Sequence, residues 1–211
     1  MTIRERKERE KEEMRGFILD AANEIITAEG IDNLSVRKIA NKIEYSPSII
    51  YHYFKDKDDI VANIMRNGYQ KILSALSSVR ISPDNPERAL REMTRSYIEV
   101  SLKMHEEYMN VQLNSSPEIL PYTASLFQGA AEKKPALKML AQCLRDIYKD
   151  RAVSESFIEL TAQVVAASSF GLIMKLIIEK DILPEEQKER LIEHYLKCII
   201  DGMILGKPLQ P

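Results

Sequence analysis

Tryptophan is absent from the 211 residues, glycine occurs only seven times, proline nine times and cysteine twice. Each scarcity removes a class of structure. Few glycines and prolines leave little material for the turns of a strand-rich fold and favour long helices. Cys143 and Cys198 lie far apart with no CxxC spacing. They exclude a disulfide framework and a cysteine metal site, and suggest reduced thiols in a cytoplasmic protein. No sign of charge dominates. Thirty basic and 32 acidic side chains give a formal net charge of -2, so no global basic field points to nucleic acid. The opening MTIRERKEREKEEMR has no apolar centre and is not a secretory signal. The longest apolar run, Val164 to Ile178, is broken by Ser168, Ser169 and Lys175, and reads as a buried helix with no membrane span.

What is present is helical periodicity along nearly the whole chain. A first helix is expected from about Ile3 to Glu29, stopped by Gly30, with an apolar face of Phe17, Ala21, Ile25 and Ala28. Its leading part, Arg4 to Arg15, mixes signs with i,i+4 pairs such as Arg4–Glu8, Glu5–Arg9 and Arg6–Glu10. It reads as a solvated helical extension in preference to a nucleic-acid arm. Ser35 is placed to cap a short helix over Val36 to Ile43, whose stripe is Val36, Ile39, Ala40 and Ile43. Glu44-Tyr45 forms a tight break. Ser46 then caps a second short helix with Pro47 at its first position. Asp56 caps a fourth helix, which runs to about Val79. Further helices are expected near 86–113 (kinked near His105), 121–130, 134–150, 154–180 and 185–205. Breakers at Ile81 to Pro86, Ser115-Ser116-Pro117, Lys134-Pro135 and Leu183-Pro184 separate them. The fold class is therefore all-α. Two domains are expected, 1–60 and 61–211, dividing inside the fourth helix.

Two short helices joined by a tight turn after a longer one form a helix-turn-helix, whose second helix reads the major groove with its N-terminal side chains. Ser46, Pro47 and Ser48 supply a small, polar helix start. Ile50 and Phe54 supply an apolar back. Tyr51 and His52 lie off that back and can reach bases or phosphates. From Asn33 to Lys57 the basic residues Arg37, Lys38, Lys42, Lys55 and Lys57 outnumber Glu44 and Asp56, a local excess suited to phosphate.

With these residues in view, the run Phe17–Ile60 resembles the DNA-binding domain of TetR-family transcriptional regulators. The likeness rests on Ile18-Leu19-Asp20-Ala21-Ala22, Glu29-Gly30, Leu34 to Ala40, Ser46 and Ile50 to Lys57. It implies an N-terminal three-helix DNA-binding domain ahead of a larger helical ligand-binding and dimerisation domain. It also implies a homodimer on a palindromic operator, acting as a repressor that a small molecule releases. Carried over by position, Ser46, Pro47, Ser48 and His52 face bases or nearby backbone. Ser35, Arg37, Tyr51 and Lys57 hold phosphates. The turn residue Glu44 departs from the glycine that the family usually has there.

No enzyme is expected. His52, His105 and His194 have no metal-ligand spacing, and neither a P-loop nor a GxSxG nucleophile turn occurs. No cofactor and no metal are implied. The second domain is rich in Met and aromatic residues, which suits an adaptable apolar effector site. Its expected lining is Met93, Tyr97, Met104, His105, Tyr108, Phe127, Met139, Phe170 and Met174. Dimerisation is expected through the last two long helices. There Ala162, Ala166, Ala167, Ser169 and Gly171 would allow close approach and Ile173, Leu176 and Ile177 would bury area. The stripe Leu191, Tyr195, Ile199 and Met203 serves either the dimer or the subunit's own core. The competing reading is an all-helical ligand-binding or adaptor protein with no transcriptional role.

Overall fold

The computed structural model describes residues 2–79, 85–113, 117 and 120–207. Among them no strand occurs. The helices are α1 (Ile3–Glu29), α2 (Val36–Lys42), α3 (Pro47–Tyr53), α4 (Lys57–Ser78), α5 (Pro86–Lys103), α6 (His105–Gln112), α7 (Leu120–Thr123), α8 (Ala130–Lys133), α9 (Pro135–Ile147), α10 (Glu155–Ile178) and α11 (Glu185–Leu196). A π-helical segment, Lys197–Ile204, continues α11. An N-terminal helix-turn-helix domain thus precedes a larger helical one. The chain forms two compact units, one of residues up to Tyr69 with Glu106–Thr123, the other of Gln70–His105 with the residues from Ala124 onward.

In the first unit, Thr2 and Glu5 make a reciprocal capping box that starts α1, and Gly30, at φ 83, ends it. The buried face of α1 is Ile18, Ala21, Ala22, Ile25 and Ile26. Phe17 and Ala28 are exposed, so the expected face is rotated by about one residue. The reason is that α1 packs with Leu34, Val36, Ile39, Ala40, Ile43, Ile50, Phe54, Ile60, Val61, Ile64 and Met65 in one core, which takes Ile18, Ala22 and Ile26 beside the expected Ala21 and Ile25 and leaves Phe17 and Ala28 outside. On the solvated extension the ion pairs are Arg6–Glu10 at 3.4 Å and Arg9–Glu13 at 3.2 Å; Arg4–Glu8 is not formed.

In the second unit α5, α9 and α10 pack against one another, with α8 on α9 and α11 on α5. Leu90, Ile98, Ala141, Leu144, Ala162, Ile173, Leu196 and Ile200 are fully buried there. The Tyr148 hydroxyl donates to the Ile204 carbonyl at 3.0 Å. Arg91 binds both carboxylate oxygens of Asp201 at 2.8 Å. Arg95 bridges Glu99, Glu189 and Glu193. The break near His105 falls at Met104, between α5 and α6. No continuous helix covers 121–130. After α7 the chain is irregular until Gly129 (φ 81) turns it into α8. Glu159 of α10 accepts the amides of Gly129 and Ala131 at 3.1 and 3.0 Å, and Gln163 donates to the carbonyls of Ser125 and Phe127. These side chains satisfy backbone groups that a helix would have satisfied internally. Residues 81–84 and Ser115-Ser116, expected as breakers, lie outside the described residues.

α10 is long and apolar enough to cross a membrane by length and composition, but 44% of its most apolar window is buried inside the protein.

Candidate nucleic-acid interface

The helix-turn-helix is assembled by caps. The Ser35 hydroxyl accepts the Lys38 amide at 3.2 Å and starts α2. At its other end the Tyr45 amide reaches back to the Ala40 carbonyl (2.9 Å) and the Glu44 amide to Asn41 (3.2 Å). This pair of bonds is a Schellman turn, whose penultimate position needs a left-handed residue. Glu44 fills it at φ 60, the one non-glycine residue with positive φ among those described. The departure from glycine therefore leaves the turn's form intact at a conformational cost to Glu44.

Ser46 stands at the N-cap of α3 and Pro47 at its first position, yet the Ser46 hydroxyl makes no bond to the helix backbone. It pairs instead with the Ser48 hydroxyl at 2.7 Å. The two serines thus form a small exposed polar tip. Behind it Ile50 and Phe54 are 0% and 2% exposed, while Tyr51 is 58% exposed and His52 also faces solvent. Tyr53 is half-buried against the core, with its ring edge-on to His52 at 5.2 Å. One helical turn therefore separates an anchored back from a free front.

A brace that sequence reading missed holds this helix in place. Arg15 of α1 donates to the Tyr53 carbonyl at 2.6 Å, approaches Asn63 of α4 at 3.4 Å, and lies 4.4 Å from the centroid of the Phe54 ring. It ties the end of α3 to α1 and α4 at once. No local signal marks it, because its partners are 38 and more residues away. Asp56 accepts the Asp59 amide at 2.8 Å and starts α4, as expected.

The local basic excess is smaller than the residue count implies. Lys38 pairs with Glu29 at 2.5 Å and Lys42 with Glu24 at 2.7 Å, both on α1. Arg37 and Lys57 have no ion pair among the described residues. Arg37, Ser46, Pro47, Ser48, Tyr51 and His52 are exposed, and Ser35 and Lys57 are half-buried. Ser35, Ser46 and Lys57 stand at or just ahead of the three helix starts of the motif.

Residues 18–64 match the profile described as "Bacterial regulatory proteins, tetR family". The helix-turn-helix segment is thus similar to that of TetR-family regulators. Among curated relatives, an uncharacterized HTH-type transcriptional regulator of Bacillus subtilis, YuxN, is 23% identical over 201 residues, 95% of this chain and 64% of YuxN. The HTH-type transcriptional repressor NicS of Pseudomonas putida is 26% identical over 97 residues, 46% of this chain and 45% of NicS. The chain thus spans less than two thirds of these relatives' length. Among solved structures, the fatty acid degradation regulator FadR from Bacillus halodurans has a TM-score of 0.66 at 17% identity, covering 90% of this chain and 95% of that one. That likeness shows a shared fold.

The residues expected to line an effector site are scattered. Met93, Met104 and Met174 are buried, with Met93 3.6 Å from the Cys143 sulfur. Tyr97, Met139 and Phe170 are half-buried. Tyr108 is buried but belongs to the first unit. Phe127 is 38% exposed, with the ammonium groups of Lys133 and Lys134 over its ring; it is at the surface because the helix expected over 121–130 is absent. His105 borders a cavity of about 120 Å³ lined also by Leu102, Leu176, Ile177, Leu183 and the charged Lys180, Glu185 and Lys188. The His105 ring lies 2.9 Å from the Lys180 ammonium. Ser101, one turn before His105, is fully buried and its hydroxyl has no hydrogen-bond partner among the described residues.

The faces of the last helices also differ from expectation. Ala162, Ser169, Ile173, Leu176 and Ile177 turn into the subunit's own core, and Ala166 is half-buried. The free face of α10 is Phe157, Leu160, Val164, Ala167, Gly171, Lys175 and Ile178, at spacings of three and four, with Lys175 paired to Glu179. On α11 and its continuation Ile192, Leu196, Ile200 and Ile204 are buried. Leu191 and Met203 are exposed, and Tyr195 and Ile199 half-exposed. The Tyr195 hydroxyl joins Ser168 and Ser169 at 2.8 and 2.9 Å, setting the two helices side by side.

Proposed function

We propose that this protein is a dimeric, ligand-responsive transcriptional repressor acting on DNA in the cytoplasm, with α3 as its reading helix. The observation that carries the reading is the division of α3. Ile50 and Phe54 anchor it, Arg15 fixes its end, and Ser46, Pro47, Ser48, Tyr51 and His52 are left facing outward. In this reading Ser46, Pro47, Ser48 and His52 meet bases or nearby backbone. Arg37, Tyr51 and Lys57 hold phosphates, and Ser35 sets the start of α2. The functional division places DNA binding in 1–60 and effector binding and dimerisation in 61–211.

The second copy covers the apolar face of α10 and α11. Phe157, Leu160, Val164 and Ile178 are apolar, large and exposed, a combination that marks interaction surfaces. Ala167 and Gly171 between them let two such helices approach closely. Two reading helices would then meet a palindromic operator. NicS, named a repressor, supports the sign of regulation, and FadR, named a fatty acid degradation regulator, supports an apolar effector. The cavity at His105 is smaller than the roughly 300 Å³ lower bound for drug-sized ligands. An effector of that size would part the helices around Ser101 and His105, and that movement would be the switch.

The test is selection of duplexes from a randomised pool, then titration of the winner against salt. A recovered inverted repeat, bound by two chains, is the expected result. Failure to retain any duplex at low salt would overturn the reading.

A further inference from the structure

The N-terminal extension has a second surface of its own. α1 is helical from Ile3, whereas its first fully buried residue is Ile18. The overhang from Ile3 to Arg15 is therefore about 18 Å long at 1.5 Å per residue. Its charges are sorted by face. Arg6 and Arg9 are paired with Glu10 and Glu13 on one side. Arg4, Lys7 and Lys11 have no ion pair or hydrogen bond among the described residues, and all three are exposed. With Arg15 they fall within about 80° of one another around a helix of 3.6 residues per turn.

This basic stripe runs in line with the buried face. Arg4, Lys7, Lys11, Met14, Ile18, Ala22 and Ile25 follow one another at spacings of three and four. Met14 packs against the core and Ile18, Ala22 and Ile25 lie within it. The face that meets α2, α3 and α4 further along thus continues past the domain as three unpaired cations. Arg15 fixes where the overhang leaves, at the Tyr53 carbonyl that ends α3 and beside Asn63 of α4. The capping box of Thr2 and Glu5 keeps the overhang helical to its tip.

We propose that Arg4, Lys7 and Lys11 form a DNA-backbone contact outside the helix-turn-helix, gripping phosphates that flank the bases read by α3. The sorting of charge is what a polyanion selects. Glu10 and Glu13 neutralise the cations on the opposite face, whereas Glu8 and Glu12 only border the stripe. This inference rests on the DNA-binding reading above and extends its footprint along the duplex.

The test compares the full chain with the triple variant R4Q/K7Q/K11Q on a duplex that the wild-type protein selects from a randomised pool. A double variant, R6Q/R9Q, removes as many charges as any two of the stripe but from the paired face. Each phosphate contact contributes about 0.9 to the slope of log affinity against log salt. The triple variant is expected to flatten that slope by about two to three units and to weaken selected and random duplexes alike, with the base preference unchanged. R6Q/R9Q is expected to leave the slope unchanged. Trimming the duplex to the bases under the reading helices should abolish the difference between wild type and triple variant. An unchanged slope in the triple variant, with wild-type binding intact, overturns the inference and leaves the reading-helix proposal standing. Absence of any wild-type DNA binding overturns both. Binding to phosphatidylserine vesicles that depends on the stripe, with a DNA slope that does not, assigns the surface to a membrane instead. Circular dichroism of each variant checks that the helix persists.

Discussion

Glu44 closes a Schellman turn at φ 60, where a side chain crowds the backbone. Glu44→Gly is expected to stabilise the fold by about 0.5 kcal/mol, relief of strain exceeding the added chain entropy. Glu44→Val should cost about 1 kcal/mol, since a β-branched residue tolerates that region worst. Urea titrations of both variants measure the difference. Arg15 is the second decisive residue. Arg15→Ala leaves the Tyr53 carbonyl without its side-chain donor and the Phe54 ring without its cation, and is expected to cost about 1–2 kcal/mol. Lys57 is different in kind. Lys57→Ala should leave stability unchanged, weaken selected and random DNA equally, and flatten the salt slope by about one unit. At this scale the caps at Ser35 and Asp56 were legible in the amino-acid order, because a cap bonds to amides three residues away. The Arg15 brace was not, because nothing nearby in the chain signals a partner 38 residues on.

Among the elements, the segment from Ser125 to Ala131 depends on α10 for its backbone bonds. The Ala131 and Gly129 amides hold the Glu159 carboxyl below its ordinary pKa of 4.5. A carboxylate with a depressed folded pKa contributes stability above its ordinary value and loses it as pH falls through the lowered one. Protection of the Gly129 and Ala131 amides from hydrogen exchange should therefore fall off only under acid conditions, below the usual carboxylate range. In Glu159→Gln it should be weaker at every pH, with no such acid step. A segment that kept its protection in that variant would show that Gln163 alone holds it. The expected helix over 121–130 failed here for a physical reason. The segment satisfies its carbonyls and amides on α10 side chains, and Gly129 adopts a left-handed turn. Neither is readable from the apolar spacing around Leu126 and Phe127. The helix ends of α1, α3 and α4 were readable, because capping residues, Pro47 and Gly30 act within one turn.

At the scale of the whole molecule the proposed dimer governs function. Leu160→Lys and Val164→Glu place charges on the free face of α10 without entering the subunit core. Each is expected to yield a folded monomer in sedimentation analysis and to weaken operator binding by one to two orders of magnitude, as the second half-site is lost. Ile173→Ala, on the opposite face, should instead cost about 2–4 kcal/mol of stability from its buried position. Amino-acid order settled the all-α class, most helix limits and the helix-turn-helix, because periodicity, caps and turn residues are local properties of the chain. Only the folded structure decided which face of α10 is core. That helix is apolar nearly all round, with Ile158, Val165 and Ile173 inside and Leu160, Val164 and Ile178 outside. Hydrophobic pattern cannot rank such faces, and the partners that do so, α5, α9 and Tyr195 of α11, arrive from distant parts of the chain.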